Sequence, residues 1–271
     1  MKKWLKAVTL SAAVLALAAC SDKEDDNKIV IGAAAGLHDI ILEEAATILE
    51  KDGIELEIRP YTEYVMPNQD LESGDLDANY FQHAPYLAQQ IKDHGYDFVS
   101  VGGIHVEPMG IYSPKYDSIK DIPNGGTIIF SNSVSEQGRV LTLLETAGLI
   151  KLKNGIDKTA ATLDDIAENP KNLKFDNKSN PEVLVTYLKN NEGDAIVINS
   201  NFIIDAGLNP SKDSIAIEGS ESDYVNLIVV RKEDENNKAI AKLVEVLQSQ
   251  EIQDFINEEW DGNVVPAPTK K

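Results

Sequence analysis

Apolar positions along this chain switch repeatedly between a strand-like and a helix-like spacing. Residues 28–35 (KIVIGAAA) are a continuous apolar run that ends in small side chains, the mark of a buried strand. Ile40, Ile41, Ala45, Ile48 and Leu49 then recur at helical spacing within residues 39–51; Gly53 stops them, and residues 54–58 alternate as a second strand. This is a β-α-β unit. Residues 61–74 hold the loop Tyr64-Val65-Met66-Pro67-Asn68 and a helical run. The stretch 74–87 (GDLDANYFQHAPYL) ends that helix, runs extended, and opens a helix over about 84–93 with Gly95 as its stop, so aromatic and imidazole groups gather at a strand-to-helix junction.

Residues 98–112 are extended, contain Gly102, Gly103 and Pro108, and are long for one strand of a small sheet. They predict a chain crossing between two lobes. A turn at 121–126, a strand at 127–131 and a helix at 133–146 stopped by Gly148 follow. Three more helix-then-strand segments come next: 163–168 with 173–175, 181–188 with 195–198, and 202–206 with 215–217. Residues 224–231 make an apolar strand suited to a return crossing, helices are predicted at 237–248 and 251–258, and the tail after Gly262, with two prolines, reads as loose. The alternation predicts an α/β fold with mostly parallel sheets and two lobes joined twice: residues 28–110 with 223–271 as lobe 1, and 111–222 as lobe 2. The two lobes echo each other. Gly74-Asp75-Leu76-Asp77-Ala78 leads into Asn79-Tyr80-Phe81, and Gly193-Asp194-Ala195 leads into a strand ending at Asn199. Polar groups at the carboxyl ends of strands are where open α/β sheets bind ligands.

The N-terminus has a different character. Lys2, Lys3 and Lys6 precede an apolar run that ends in Leu17-Ala18-Ala19-Cys20, and Cys20 is the only cysteine. Residues 1–19 read as a secretory signal peptide and Cys20 as the site of lipid attachment, in the position that a bacterial lipobox demands. Residues 20–27 are nearly devoid of apolar side chains and read as a tether. The expected location is the extracytoplasmic side of the cell membrane, with the chain held there by its lipid as a monomer. Net charge is −20, which excludes nucleic acid as a natural partner, since phosphate binding needs a basic face.

Chemistry is hard to find. No G-x-S-x-G elbow occurs, there is no second cysteine, and His38, His83, His94 and His105 form no local metal-ligand spacing. Gly32 and Gly36 lack the dinucleotide fingerprint, so neither cofactor nor metal is expected and the chain reads as a binding protein rather than an enzyme. A small amino-acid-like ligand would need a cation for its carboxylate, acceptors for its ammonium and an aromatic slot for its side chain. Arg139 lies in a helix beginning near Ser133, where guanidinium and helix end could hold an anion together; a surface salt bridge is its other fate. Asn199 ends a strand, and Asn226 interrupts the apolar run 224–229 and needs partners. Tyr64 and Phe81 could enclose an apolar side chain or pack a core, and His83 could meet the ligand or cap its helix.

Several motifs occur together in one order: Tyr64-Val65-Met66-Pro67-Asn68, Gly74-Asp75-Leu76-Asp77-Ala78-Asn79, Phe81-Gln82-His83, Gly138-Arg139, Glu168-Asn169-Pro170-Lys171-Asn172-Leu173, Val197-Ile198-Asn199 and Tyr224-Val225-Asn226-Leu227-Ile228-Val229. Together with the lipobox they resemble the MetQ-type methionine-binding lipoproteins of ABC importers, the NlpA family. The resemblance runs from about residue 28 to the final helices. It implies a two-lobed periplasmic-binding-protein fold, type II-like, that closes on free methionine and docks on a permease with its ATPase. It marks Tyr64, Phe81, His83, Arg139, Asn199 and Asn226 as pocket residues, with Tyr224 beside one of them. Arg139 would take the carboxylate, the asparagines the polar end, and Tyr64 with Phe81 the thioether. Residues 131–137 (SNSVSEQ) and the surroundings of Phe202 depart from the commoner family pattern. A methionine-containing dipeptide, another apolar amino acid, or an adhesin or enzyme on the same fold are the alternatives.

Overall fold

The computed structural model describes residues 27–219 and 224–267, so the signal peptide, Cys20 and residues 20–26 of the tether lie outside the described residues. The chain begins as expected: β1 (Lys28–Ala34), α1 (His38–Leu49), β2 (Glu55–Tyr61), α2 (Met66–Ser73), β3 (Ala78–His83), α3 (Ala84–His94) and β4 (Phe98–Val106). Gly53, Gly74 and Gly95 each end a helical turn with positive φ, a conformation that costs glycine little and most residues more.

The long extended run is two strands, not one. β4 stops at Val106, and after Glu107-Pro108-Met109 the chain resumes as β5 (Gly110–Tyr112) in a different sheet. Proline has no amide to give a ladder, so Pro108 sits where the pairing changes sheets. The second lobe continues with β6 (Thr127–Ser131), α4 (Val134–Thr146), β7 (Lys151–Leu152), β8 (Ile166–Glu168), β9 (Lys174–Ser179), α5 (Leu184–Lys189), β10 (Ala195–Ile198), α6 (Ser200–Asp205), α7 (Pro210–Asp213) and β11 (Ala216–Ile217). The segment at 163–168, read as helical, is a single tight turn followed by β8, which pairs with β7 in a small ladder of its own. Thr162 and Asp165 close a capping box on that turn, and this local bonding replaces a longer helix. The return crossing is β12 (Val225–Arg231), followed by α8 (Lys238–Leu247), α9 (Gln250–Trp260) and β13 (Val265–Pro266).

Two sheets result, ordered β13-β4-β12-β3-β1-β2 and β11-β5-β10-β6-β9. The sheets are less parallel than the alternation predicts. β1, β2 and β3 run parallel, as do β6, β9 and β10, but β12 returns antiparallel between β3 and β4, and β5 is antiparallel to β10. A chain that crosses back to its first lobe arrives from the other end, so its strand must point the other way. The tail, as far as residue 267, is not loose either. β13 pairs with β4, and Val264 is fully buried. Its proline lies on an edge strand, where a missing amide is tolerated.

Each lobe has its own core. α1, α8 and α9 cover one face of the first sheet around Ile31, Leu42, Tyr80, Leu243 and Ile256, and α4 covers the second around Phe130, Leu141, Leu144 and Val197. The echo between the lobes is structural. The Asp77 carboxylate accepts the Val30 amide at 2.7 Å while the Asp77 amide donates to Val30 O. Asp194 makes the same two-way bracket with Thr127, its carboxylate accepting at 2.8 Å. In each lobe an aspartate thus fixes the entry of the strand that leads to the cleft, β3 in one and β10 in the other.

Candidate functional site: a polar cleft between the lobes

The ends of β3 and β10 meet the loops after β2 and β4 in a narrow cleft. Tyr64, Phe81, His83, Arg139, Asn199 and Asn226 all line it. The structure therefore brings six of the seven residues singled out from sequence into one cavity. Tyr224, the seventh, is buried just behind, its ring 4.4 Å from the Arg139 guanidinium carbon and 5.0 Å from the His83 ring.

His83 ends β3 and caps α3. Its Nδ1 accepts the Tyr86 amide at 3.3 Å, and its Nε2 reaches 3.4 Å across to Glu136 of the second lobe. The ring caps α3, one of the two roles weighed for it, and also lines the cleft. Tyr64 also bridges the lobes: its hydroxyl donates to Asn201 Oδ1 at 2.8 Å. Its ring lies 5.0 Å from Phe202, 6.0 Å from Phe81 and 6.2 Å from Tyr86. These four rings form one aromatic wall with faces and edges in contact.

Arg139 differs most from its sequence reading. It is the sixth residue of α4, beyond the first turn where a helix end acts on an anion. It is also buried, not on the surface. Nη2 donates to Glu218 Oε2 at 2.6 Å and to Glu107 O at 2.7 Å, and Nε donates to both Glu218 oxygens at 3.2 and 3.1 Å. Glu218 in turn accepts the Met109 amide at 3.2 Å. The guanidinium is thus tied to both crossings between the lobes.

Three acids escaped the sequence reading. Glu136 occupies the first turn of α4 and is 2% exposed. It accepts Asn199 Nδ2 at 2.5 Å, and Ser131 Oγ at 3.2 Å. Burial raises its pKa, but the His83 and Asn199 hydrogen bonds and the Arg139 charge outweigh that and keep it below the ordinary carboxylate value. Glu107 accepts Asn226 Nδ2 at 3.3 Å, His105 Nε2 at 2.9 Å and the Asn201 amide at 2.9 Å. Burial again pushes upward, and His105, His38 and Arg139 hold the carboxyl low. Glu218 completes the set. With 45 acidic residues in the chain, burial distinguishes Glu136 and Glu107, and the half-buried Glu218 is marked only by its pairing with Arg139. One signal was present for Glu136: it lies three residues before Arg139, on the same helix face.

The cleft thus offers a buried cation, two buried carboxylates, amide groups and an aromatic wall. A second hollow shares Tyr64 and Tyr86 with it and continues outward past Gln89, Ser133 and Pro181.

Residues 29–268 match the family model described as NlpA lipoprotein. The chain belongs to the NlpA lipoprotein family. It is 43% identical over 273 residues to the methionine-binding lipoprotein MetQ of Bacillus subtilis, covering 98% of this chain and 99% of the relative. Among solved structures it is similar to a pheromone cOB1 precursor/lipoprotein of the YaeC family from Enterococcus faecalis, at TM-score 0.87 and 54% identity over 89% of this chain and 100% of that one. It is also similar to a nutrient-binding protein from Burkholderia cenocepacia bound to methionine, at TM-score 0.83 and 41% identity over 89% and 100%. The two-lobed α/β fold expected from the resemblance is the fold of these NlpA-type binding proteins.

Proposed function

We propose that this chain is the substrate-binding lipoprotein of an ABC importer, capturing free methionine in its interlobe cleft and passing it to a permease with its ATPase. The observation that carries the proposal is the buried set of opposite charges beside an aromatic wall. A free amino acid is a zwitterion, and burying it is favourable only where each charge meets a partner. Arg139 is the counter-charge for the carboxylate. Glu136, with Asn199, and Glu107, with Asn226, are acceptors for the ammonium. Tyr64, Phe81 and Tyr86 enclose the thioether, with Phe202 packed behind Tyr64, and sulfur packs well against rings. The full-length likeness to a methionine-bound relative supports the same reading.

Nothing in this role requires chemistry on the ligand. Binding from both lobes favours the closed state, since only that state offers both walls. We take the lobes to divide at 110–111, supported by the change of sheet after Glu107-Pro108-Met109, and at 222–223, which lies outside the described residues. Cys20 is the proposed lipid attachment site, with the chain held as a monomer on the extracytoplasmic face of the cell membrane. A methionine-containing dipeptide is a second reading, favoured by the outer hollow that opens past Tyr64 and Tyr86.

The test is a thermal-shift screen of the full-length chain in detergent, refolded to strip bound ligand, against amino acids and short peptides. Methionine at one hundred times its Kd should stabilise the fold by about 2.7 kcal/mol. A shift with methionyl dipeptides and none with the free amino acid would favour the second reading. No shift with either would remove both.

A further inference from the structure

Beneath the cleft lies a cluster of which the ligand reading uses Glu107 and Asn226 and leaves two buried histidines, His38 and His105, without a role. His38 opens α1, His105 lies near the end of β4, and Glu107 follows it two residues on. All three are buried, with 1%, 0% and 7% of their surfaces exposed. Glu107 Oε1 lies 2.9 Å from His105 Nε2 and 3.3 Å from His38 Nε2, and the three ligand atoms fall within 4.8 Å of one another. We propose that His38, His105 and Glu107 form a binding site for a divalent metal ion of the zinc class, with the Asn226 carboxamide oxygen as fourth donor.

Four observations support the site. First, the donor set is two imidazoles and one carboxylate, without thiolate, a mixture that suits Zn²⁺. Second, the spacing is close to right. Metal–donor bonds of 2.0–2.2 Å at tetrahedral angles put donors about 3.4 Å apart. The His38 to Glu107 separation already matches, and the His105 to Glu107 separation must widen by about half an ångström. Third, outer partners orient the donors. The Tyr80 hydroxyl meets His105 Nδ1 and Glu107 Oε2 accepts the Asn201 amide at 2.9 Å, while the fourth donor, Asn226 Oδ1, already stands 3.2 Å from His38 Nε2. Fourth, the only ion-pair partners of the Glu107 side chain among the described residues are these two histidines. Among the described residues no lysine or arginine side chain touches the carboxylate, Arg139 acting on it only from a distance, and a bound metal ion would be a directly bonded cation.

The protons balance without loss. Each neutral imidazole binds metal through Nε2 as its Nδ1–H tautomer. His105 Nδ1–H then donates to the Tyr80 oxygen, whose own hydroxyl proton turns away from the ring, and His38 Nδ1, which has no hydrogen-bond partner, carries the other proton. The donors come from α1, the β4 end and β12, so the site needs no closure of the second lobe onto ligand. Sequence spacing could not reveal it, because His38 and His105 come from separate elements and meet only when α1 packs on the sheet, with their rings 4.9 Å apart.

The experiment uses the full-length chain in detergent, cleared of metal by a chelator and containing no amino acid, so it is independent of the methionine reading. Zn²⁺ alone is titrated by calorimetry, and Co²⁺ alone is followed by its visible spectrum. One ion per chain and a four-coordinate Co²⁺ spectrum are expected. His38→Gln and His105→Gln should each weaken Zn²⁺ binding at least about 100-fold, while His94→Gln, on the surface, should not. Glu107→Gln keeps the side chain's shape and should weaken it at least about tenfold. Should the histidine variants fail to fold, the wild-type stoichiometry and Co²⁺ spectrum still decide. No Zn²⁺ uptake by the wild type, a six-coordinate Co²⁺ spectrum, or equal affinity in folded wild type and both histidine variants would overturn the site.

Discussion

Arg139→Ala is expected to lower unfolding stability by about 3 kcal/mol and to weaken methionine binding at least tenfold. Both effects follow from one set of contacts. The guanidinium is buried, pairs with Glu218 at 2.6 Å, holds the Glu107 carbonyl and lies over the Tyr224 ring. Removing it leaves the largely buried Glu218 carboxylate without its cation, and that is a stability cost. Removing it also takes away the cation proposed for the ligand carboxylate, and that is an affinity cost. From sequence alone the same substitution reads as harmless to the fold. The double variant Arg139→Ala/Glu218→Ala separates the two effects. It should regain part of the stability in denaturant titrations and none of the affinity. A double variant that recovers binding would show that Arg139 acts only as a strut.

Acidification should destabilise the chain earlier than carboxylate titration alone would allow. His38 is buried, and desolvation lowers its pKa from 6.5 to about 4, against the opposing pull of Glu107. A histidine with a depressed folded pKa is protonated first in the unfolded chain. The unfolded state therefore gains stability as pH falls below 6.5, and the difference grows until the folded ring also titrates near pH 4. The two limits correspond to about 3 kcal/mol lost across that window. Glu107, held low in the fold, adds a loss of the same sign further into acid, as its partners are released. The measurement is unfolding stability against pH, made with chelator present. His38→Gln should flatten the fall between pH 6.5 and 4, and an unchanged slope in that variant would assign the acid sensitivity elsewhere.

How much of this was legible in the sequence depended on the range of the interaction. β1, α1 and β2 could be read because their apolar residues keep a period and Gly53 marks the stop. α4 could be read for the same reason. The insertion of β12 between β3 and β4 could not, because periodicity reveals a strand and not its neighbours. Nor could β13, whose pairing depends on an edge of β4 that the sequence does not display. In the cleft, aromatic and amide residues stood out from their surroundings: Phe81 at a strand end, Asn226 inside an apolar run. Glu136 and Glu107 did not, since an acidic side chain in so acidic a chain is unremarked until burial singles it out. His38 and His105 were visible as residues and invisible as a pair.

The central claim is that the cleft binds free methionine through both its charged groups and its thioether. Calorimetric titration of L-methionine into the refolded full-length chain tests it most directly, with the wild type and Asn226→Ala compared. Asn226 is buried between Glu107 and His38 at the cleft floor, so its loss removes an amide that orients a proposed ammonium acceptor. The account predicts one methionine per chain in the wild type and an affinity at least tenfold weaker in the folded variant. No heat in the wild type, or the same affinity in both proteins, would contradict it.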